Sequence, residues 1–286
     1  MRTVRPPWTP GVTLLELMVA LVMLGLVASL AMRLLIATQR TTAAQAVRAT
    51  LQGDLRAASA VVSNELWMLG QSDSTDILDV TDTSIVYRAM RGYYVLCEAL
   101  TGGASITMLR VLPSAFSFDY RAPAAGDSLL LFYEADPLTL GDDRWHRARI
   151  ARVAGSTCRS GAWKGAPALV ATFDEVVPGT PALYLVGAPI RTYEIARLSV
   201  MSSGGRTWLG MCTGGPGCTL EPVAGPLASR GGLQITRYDD ADAVVAGNSF
   251  ADRNALRTLE LRLVGASERA IGRGGGDNGP LGTIQD

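Results

Sequence analysis

The sequence predicts an α+β chain: one long N-terminal helix followed by an antiparallel β-sheet head. Three observations carry this. Apolar residues fill the stretch from Val12 to Met32 and then recur at helical spacing as far as Leu69. No proline interrupts the chain from Gly11 to Leu112. Beyond Asp76 the pattern changes to short apolar runs separated by glycine turns, the last of them alternating Leu259, Leu261 and Leu263 with Glu260 and Arg262. A helical period that gives way to a period of two marks a helix followed by strands.

Residues 1–11 read as a leader. Arg2 and Arg5 hold it in the cytoplasm, so the rest of the chain is exported. Residues 12–32 read as the transmembrane half of the helix, since at about 1.5 Å per residue they cover roughly 30 Å, one bilayer core. Between Pro10 and Arg33 stands a single charge, Glu16. A carboxylate costs about 2.5 to 3.5 kcal/mol at the centre of such a span and less near its end. A bare anchor has no use for it, so Glu16 is a functional candidate that needs a partner.

Residues 33–70 read as an amphipathic continuation. Val47, Leu51, Leu55, Ala58, Val62, Leu66 and Leu69 recur at spacings of three and four and form one face. Arg40, Arg48, Asp54 and Arg56 fall elsewhere. Gly70 is a stop signal and residues 71–74 read as loop, which sets one helix from about Val12 to Leu69. Gly25 and Gly53 lower its local propensity.

Residues 71–271 read as a β-rich globular head. Its candidate strands are Ser84–Met90, Tyr93–Cys97, Ile106–Leu112, Ser128–Tyr133, Ala148–Val153, Leu169–Phe173, Leu183–Val186, Thr192–Met201, Arg206–Met211, Leu233–Tyr238 and Leu256–Val264. Arg91-Gly92, Gly102-Gly103, Gly126-Asp127 and Ser203-Gly204-Gly205 supply the turns. Residues 272–286 form a flexible, glycine-rich tail.

Composition narrows the function. With 48% hydrophobic and 18% charged residues the chain is globular outside the anchor. The 26 basic and 26 acidic residues cancel; without Arg2 and Arg5 the basic count falls to 24, a net charge of −2. That is no footprint for nucleic acid. Cys97, Cys158, Cys212 and Cys218 lie on the exported side, where an even count favours disulfides. Cys212 and Cys218 enclose a short glycine-rich loop that a bridge closes, which leaves Cys97 with Cys158; three connectivities exist in principle. No C-x-x-C pair occurs and His146 is the sole histidine, so neither a metal nor a cofactor is expected.

No phosphate loop, H-E-x-x-H or G-x-S-x-G occurs. Gly274, Gly276 and Gly279 fit a dinucleotide fingerprint by letters alone, without the strand–turn–helix it needs. Asp239, Asp240 and Asp242 lack the spacing of an EF-hand loop and read as a solvated turn, as does the polar run Asp73, Asp76, Asp79 and Asp82. The stretch Arg147–Arg152 alternates arginines with Ala148 and Ile150 and reads as the wet face of a strand.

Gly11 followed by Val12-Thr13-Leu14-Leu15-Glu16 resembles the class III signal of type IV pilins and pseudopilins. The resemblance implies that a prepilin peptidase cuts after Gly11 and methylates Val12, and that Glu16, fifth in the mature chain, pairs with the N-terminal amine of a neighbouring subunit. Val12 departs from the family, which more often has Phe there. A second, looser resemblance covers Thr192–Met211, Glu221 to Ala224, Gly232 to Asp239 and Ala255–Val264. These pieces are similar in order and spacing to the C-terminal half of PilW-type minor pilins, relatives of the J pseudopilins of type II secretion. The middle, about Gly70 to Gly187, matches loosely. The resemblance implies a pilin-like fold and a structural, non-enzymatic subunit in the inner membrane, which primes or supports a pilus. Its partners would be the prepilin peptidase, other minor and major pilins or pseudopilins, the inner-membrane assembly platform and lipid, with no nucleic acid among them. Competing readings are a J-type pseudopilin, an anchored hydrolase using His146, an adhesive or ligand-binding head, a plain anchor, and a secretory signal cut at Ser29-Leu30-Ala31.

Overall fold

Helix α1 (Leu14–Leu66) starts where its first orphan donors find partners: Thr13 is the N-cap and Glu16 closes a capping box with it. The computed structural model describes residues 13–70, 76–100, 102–110, 122–134, 138–139, 143–177, 184–215, 217–266 and 283–285. The leader, Gly11, Val12, residues 71–75 and most of the glycine-rich tail lie outside the described residues. The helix divides into two lengths of opposite character. Residues 13–43 are all exposed, whereas Leu51, Leu55, Ala58 and Val62 are buried against the sheet, with Leu66 and Leu69 partly buried beside them. The apolar face predicted for residues 47–69 is the face that packs. The helix ends at Leu66, slightly before the predicted Leu69. A tight turn follows (Leu69 N–H to Leu66 C=O, 3.2 Å), and the N–H of Gly70 donates to Asp76 Oδ2 at 2.7 Å.

The strands are β1 (Ile77–Thr81), β2 (Ser84–Leu96), β3 (Ser105–Arg110), β4 (Ser128–Tyr133), β5 (Arg144–Thr157), β6 (Pro167–Phe173), β7 (Pro189–Ser203), β8 (Arg206–Thr213), β9 (Glu221–Leu227), β10 (Leu233–Tyr238), β11 (Thr258–Ala266) and β12 (Thr283–Gln285); a short helix α2 (Phe250–Ala255) precedes β11. All pairings among them are antiparallel. The α+β class is therefore as expected, and among the described residues the head holds two large hydrophobic cores, with a small cluster at Cys97, Cys158 and Ala168 beside the second.

In the first core α1 covers β1, the first half of β2, the second half of β7, and β8 to β11. The approach is close: a Cβ on Gly265 of β11 would meet Leu51 Cδ1 at 2.7 Å and Leu55 Cδ1 at 3.2 Å, so a side chain there would have to push these leucines aside. In the second core the pairing closes on itself. β2 pairs β3, β3 pairs β6, β6 pairs β5, β5 pairs β4, β4 pairs β7, and β7 returns to β2. This six-stranded barrel is filled by side chains such as Tyr94, Leu96, Met108, Leu131, Ile150 and Ile190. Closure leaves these strands without the unpaired edges of an open sheet.

Two expected elements are corrected. Arg91-Gly92 is not a turn. β2 runs straight through it, paired to β7 along its length, with a register shift between Met90 and Gly92. A chain bonded to one neighbour from Ser84 to Val95 cannot reverse there; the bulge instead bends β2 from the first core into the second. A Cβ at Gly92 would meet Thr192 Oγ1 and Tyr94 Cε2, both at 2.8 Å, so crowding explains the glycine. The strand expected at Leu183–Val186 is also absent among the described residues. Leu183 lies outside the described residues, and Leu185 to Ala188 form a turn, closed by Ala188 N–H to Leu185 C=O (2.9 Å) with Gly187 at φ +96°.

Candidate functional site

The first site candidate is the helix N-terminus. Thr13 has extended backbone geometry, its hydroxyl accepts from the Glu16 N–H (3.3 Å), and Glu16 Oε2 accepts from the Thr13 N–H (3.4 Å). Thr13-Leu14-Leu15-Glu16 has the T-x-x-E spacing of a capping box, a signal that a search for membrane charges overlooks. The carboxylate thus sits in the first turn, at the positive end of the helix dipole, where negative charge is stabilised. Glu16 is exposed, and Oε1 makes no bond among the described residues. Gly11 and Val12, where cleavage and methylation are expected, lie outside the described residues.

From this carboxylate onward the helix presents only apolar side chains for several turns. Leu17, Leu24 and Leu34 are 55%, 66% and 72% exposed, and nothing among the described residues covers them. The helix is long and apolar enough to cross a membrane, which is compatible with an anchor or a signal.

The remaining candidates resolve into local bonding. His146 of β5 bonds through Nδ1 to the Tyr184 hydroxyl and lies 4.8 Å from the Tyr133 ring. Burial and the neighbouring Tyr133 push the Tyr184 phenol well above its ordinary pKa, so it stays neutral beside the imidazole. Asp239 Oδ1 accepts from the N–H groups of Ala241 and Ala243, both at 2.9 Å, which folds that acidic turn onto itself. Asp79 bonds Asn248, Asp82 faces Arg237, and Asp76 holds Gly70, so the acidic run after the helix is dispersed; Asp73 is outside the described residues. No metal-binding group of His, Cys, Asp and Glu occurs among the described residues. Arg147, Arg149 and Arg152 are exposed, while Ala148 and Ile150 fill the barrel.

Two disulfides form: Cys97–Cys158, with Cα atoms 5.9 Å apart, and Cys212–Cys218, at 5.8 Å. The first ties the end of β2 to the end of β5, buried beside Ala168 and Trp163. The second closes the loop after β8.

Sequence reasoning missed a buried charge cluster between the two cores. Arg91 donates to both oxygens of Glu65 (3.2 and 3.1 Å) and to Glu194, and Tyr87 donates to Glu65 at 3.3 Å. This joins the last turns of α1 to β2 and β7 where the cores meet. Burial alone would lower the Arg91 guanidinium, but Glu194 and Glu65 outweigh it and raise it. Nearby, burial pushes the Asp76 carboxyl up against the pull of the Gly70 N–H and Arg88. In the barrel, the hydrogen bond from Arg159 holds Glu98 below the ordinary carboxylate range, with burial opposing. An arginine beside a glycine between two runs of apolar and aromatic residues was the available signal, and it reads as a turn until the pairing is known.

Comparison with protein-family models, with curated proteins and with solved structures returned no match. The geometry stands alone: an α+β head carried on an apolar N-terminal helix with a single carboxylate in its first turn.

Proposed function

We propose that the chain is a minor type IV pilin of the PilW kind, anchored in the inner membrane, cut after Gly11, methylated on Val12 and incorporated into a pilus whose assembly it primes or supports. The observation that carries this is the division of one unbroken helix. Its first length is apolar and uncovered, its last length packs on the head, and its sole membrane-level charge is Glu16. A fibre built from such helices would bury that carboxylate among neighbouring helices, where an unpaired charge is costly. A new α-amine at Val12 of the next subunit supplies the counter-charge. The capping box suits this role, because it fixes the carboxylate at the helix end while leaving Oε1 for a partner.

Intact and N-terminal peptide mass spectrometry on protein from native membranes tests the reading. A chain beginning at Val12 with one added methyl group supports it. A start at Met32 replaces it with an ordinary secretory signal. Glu16→Ala should leave cleavage intact and abolish recovery of the subunit in sheared fibres; normal recovery would remove the pairing argument.

A further inference from the structure

The outer edge of β10 has a gap one pair of hydrogen bonds wide. On its inner side β10 pairs β11 along its whole length; on the outer side two segments cover it in part. The Ile235 N–H donates to Asp82 C=O (2.8 Å), and the Val245 N–H donates to Arg237 C=O (2.9 Å). The N–H and C=O of one strand residue point to the same side. The Ile235 C=O and the Arg237 N–H therefore also point outward, between those two bonds. Among the described residues neither has a partner.

A cavity of about 300 Å³ opens at this gap, walled by Asp82, Ile235, Thr236, Arg237, Val244 and Val245. Ile235 and Arg237 are 3% and 8% exposed. The guanidinium is tied down: Nη1 donates to Val80 C=O (3.2 Å) and Gly247 C=O (3.0 Å), and Nη2 to Ala246 C=O and Asp82 Oδ1, both at 3.4 Å. Nε is buried and has no acceptor among the described residues. Buried polar groups without partners are the exception in a folded chain. Here three of them belong to two residues of one cavity wall.

The shape and charge of the gap select its occupant. It is too short for an added strand, because Asp82 and Val245 already hold the edge on either side. It asks for one acceptor, for the Arg237 N–H, beside one donor, for the Ile235 C=O. Its charge is already balanced, since Arg237 has Asp82 as an ion-pair partner. A carboxylate would bring a second anion to Asp82 and offer no hydrogen. An ammonium would bring a second cation to Arg237 and offer no acceptor. A primary carboxamide carries acceptor and donor on one planar group, without charge.

We propose that the cavity at the β10 edge binds a primary carboxamide, its oxygen accepting from the Arg237 N–H and its NH2 group donating to the Ile235 C=O and to the exposed Asp82 carboxylate. Two sources carry this group, a free amide such as glutamine and an Asn or Gln side chain of a polypeptide. The site belongs to the head alone and stands whether or not the chain enters a fibre.

Two-dimensional NMR on the isotope-labelled full-length chain in detergent micelles tests this, with three probes of one size: propionamide, propionate and 1-propanol. Propionamide should shift the Arg237 backbone amide along a saturating curve, at least tenfold tighter than either control, while the Thr236 amide, which faces β11, moves little. A shift that grows without saturating is solvation alone and overturns the proposal, as does an equal response to the three probes. Asp82→Ala removes one acceptor and should weaken propionamide about tenfold. Val244→Trp should fill the cavity and abolish the response. Both side chains are exposed, at 84% and 64%, so the remaining spectrum should stay that of the folded chain. Unchanged affinity in either variant overturns the proposal. Free L-glutamine matching propionamide assigns the site to a soluble amide; a response only to glutamine capped as its N-acetyl methylamide assigns it to a polypeptide side chain, and either result supports the carboxamide site.

Discussion

The two cores differ in how the chain builds them. The helix-backed core gathers residues from α1, β1, the outer ends of β2 and β7, and strands as late as β11, so it closes only when distant parts of the chain meet. The barrel core draws almost entirely on residues 94–190, is closed by its own strand ring, and is stapled by Cys97–Cys158. The first is an assembly of N-terminal and C-terminal pieces; the second is an insertion between the two halves of one long strand pair.

The largest test of that contrast is at the seam. Arg91→Ala leaves Glu65 and Glu194 without their shared cation in a buried site, and losses of this kind are about 3–5 kcal/mol. If the cores are coupled, thermal unfolding falls as a single transition; two separate transitions would show that they stand independently.

The disulfides sharpen the comparison. Replacing Cys97 and Cys158 together by Ser opens a loop of 61 residues and should cost about 4 kcal/mol, whereas opening the 6-residue loop of Cys212–Cys218 should cost about 2 kcal/mol. Denaturant titration measures both. The first variant should loosen hydrogen exchange in the barrel strands before those under α1.

Acidification gives the smallest effect and opposite signs in the two regions. Glu98 is held below its ordinary value, so the stability it contributes is present above the unfolded pKa near 4.5 and is lost as pH falls toward its folded value. Asp76 is raised, so in its window the folded form binds the extra proton, and its contribution declines as pH rises above the unfolded value near 3.8. Melting temperature against pH should flatten on its acid side in Glu98→Gln. In Asp76→Asn the remaining profile should fall more steeply with acid.

Much of the helix-backed core was legible because burial there follows local periods. Leu51, Leu55, Ala58 and Val62 repeat as a helix face, Leu259, Leu261 and Leu263 as a strand face, and both pack as their spacing predicts. The barrel was not legible, because no local pattern says that β4 returns to β7 or that β3 meets β6. β9 escaped because Pro222 and Pro226 argue against a strand; its ladder with β8 accommodates them through register shifts around Leu209. β1 hid in an acidic run whose carboxylates turn out to bond separate partners. At the helix start, Glu16 stood out as a lone charge, while the reason it tolerates that position, the cap with Thr13, was written in the same four residues.

The bulge at Gly92 carries a mechanical consequence. No linker separates the helix-backed half of the head from the barrel; β2 and β7 pass through both, paired from Ser84–Ser199 to Val95–Pro189. A pull transmitted from the helix to the far end must therefore travel along two paired strands, loading their ladder in shear, where many bonds resist together, rather than peeling them one at a time. The barrel is held like a blade whose tang runs the length of the handle.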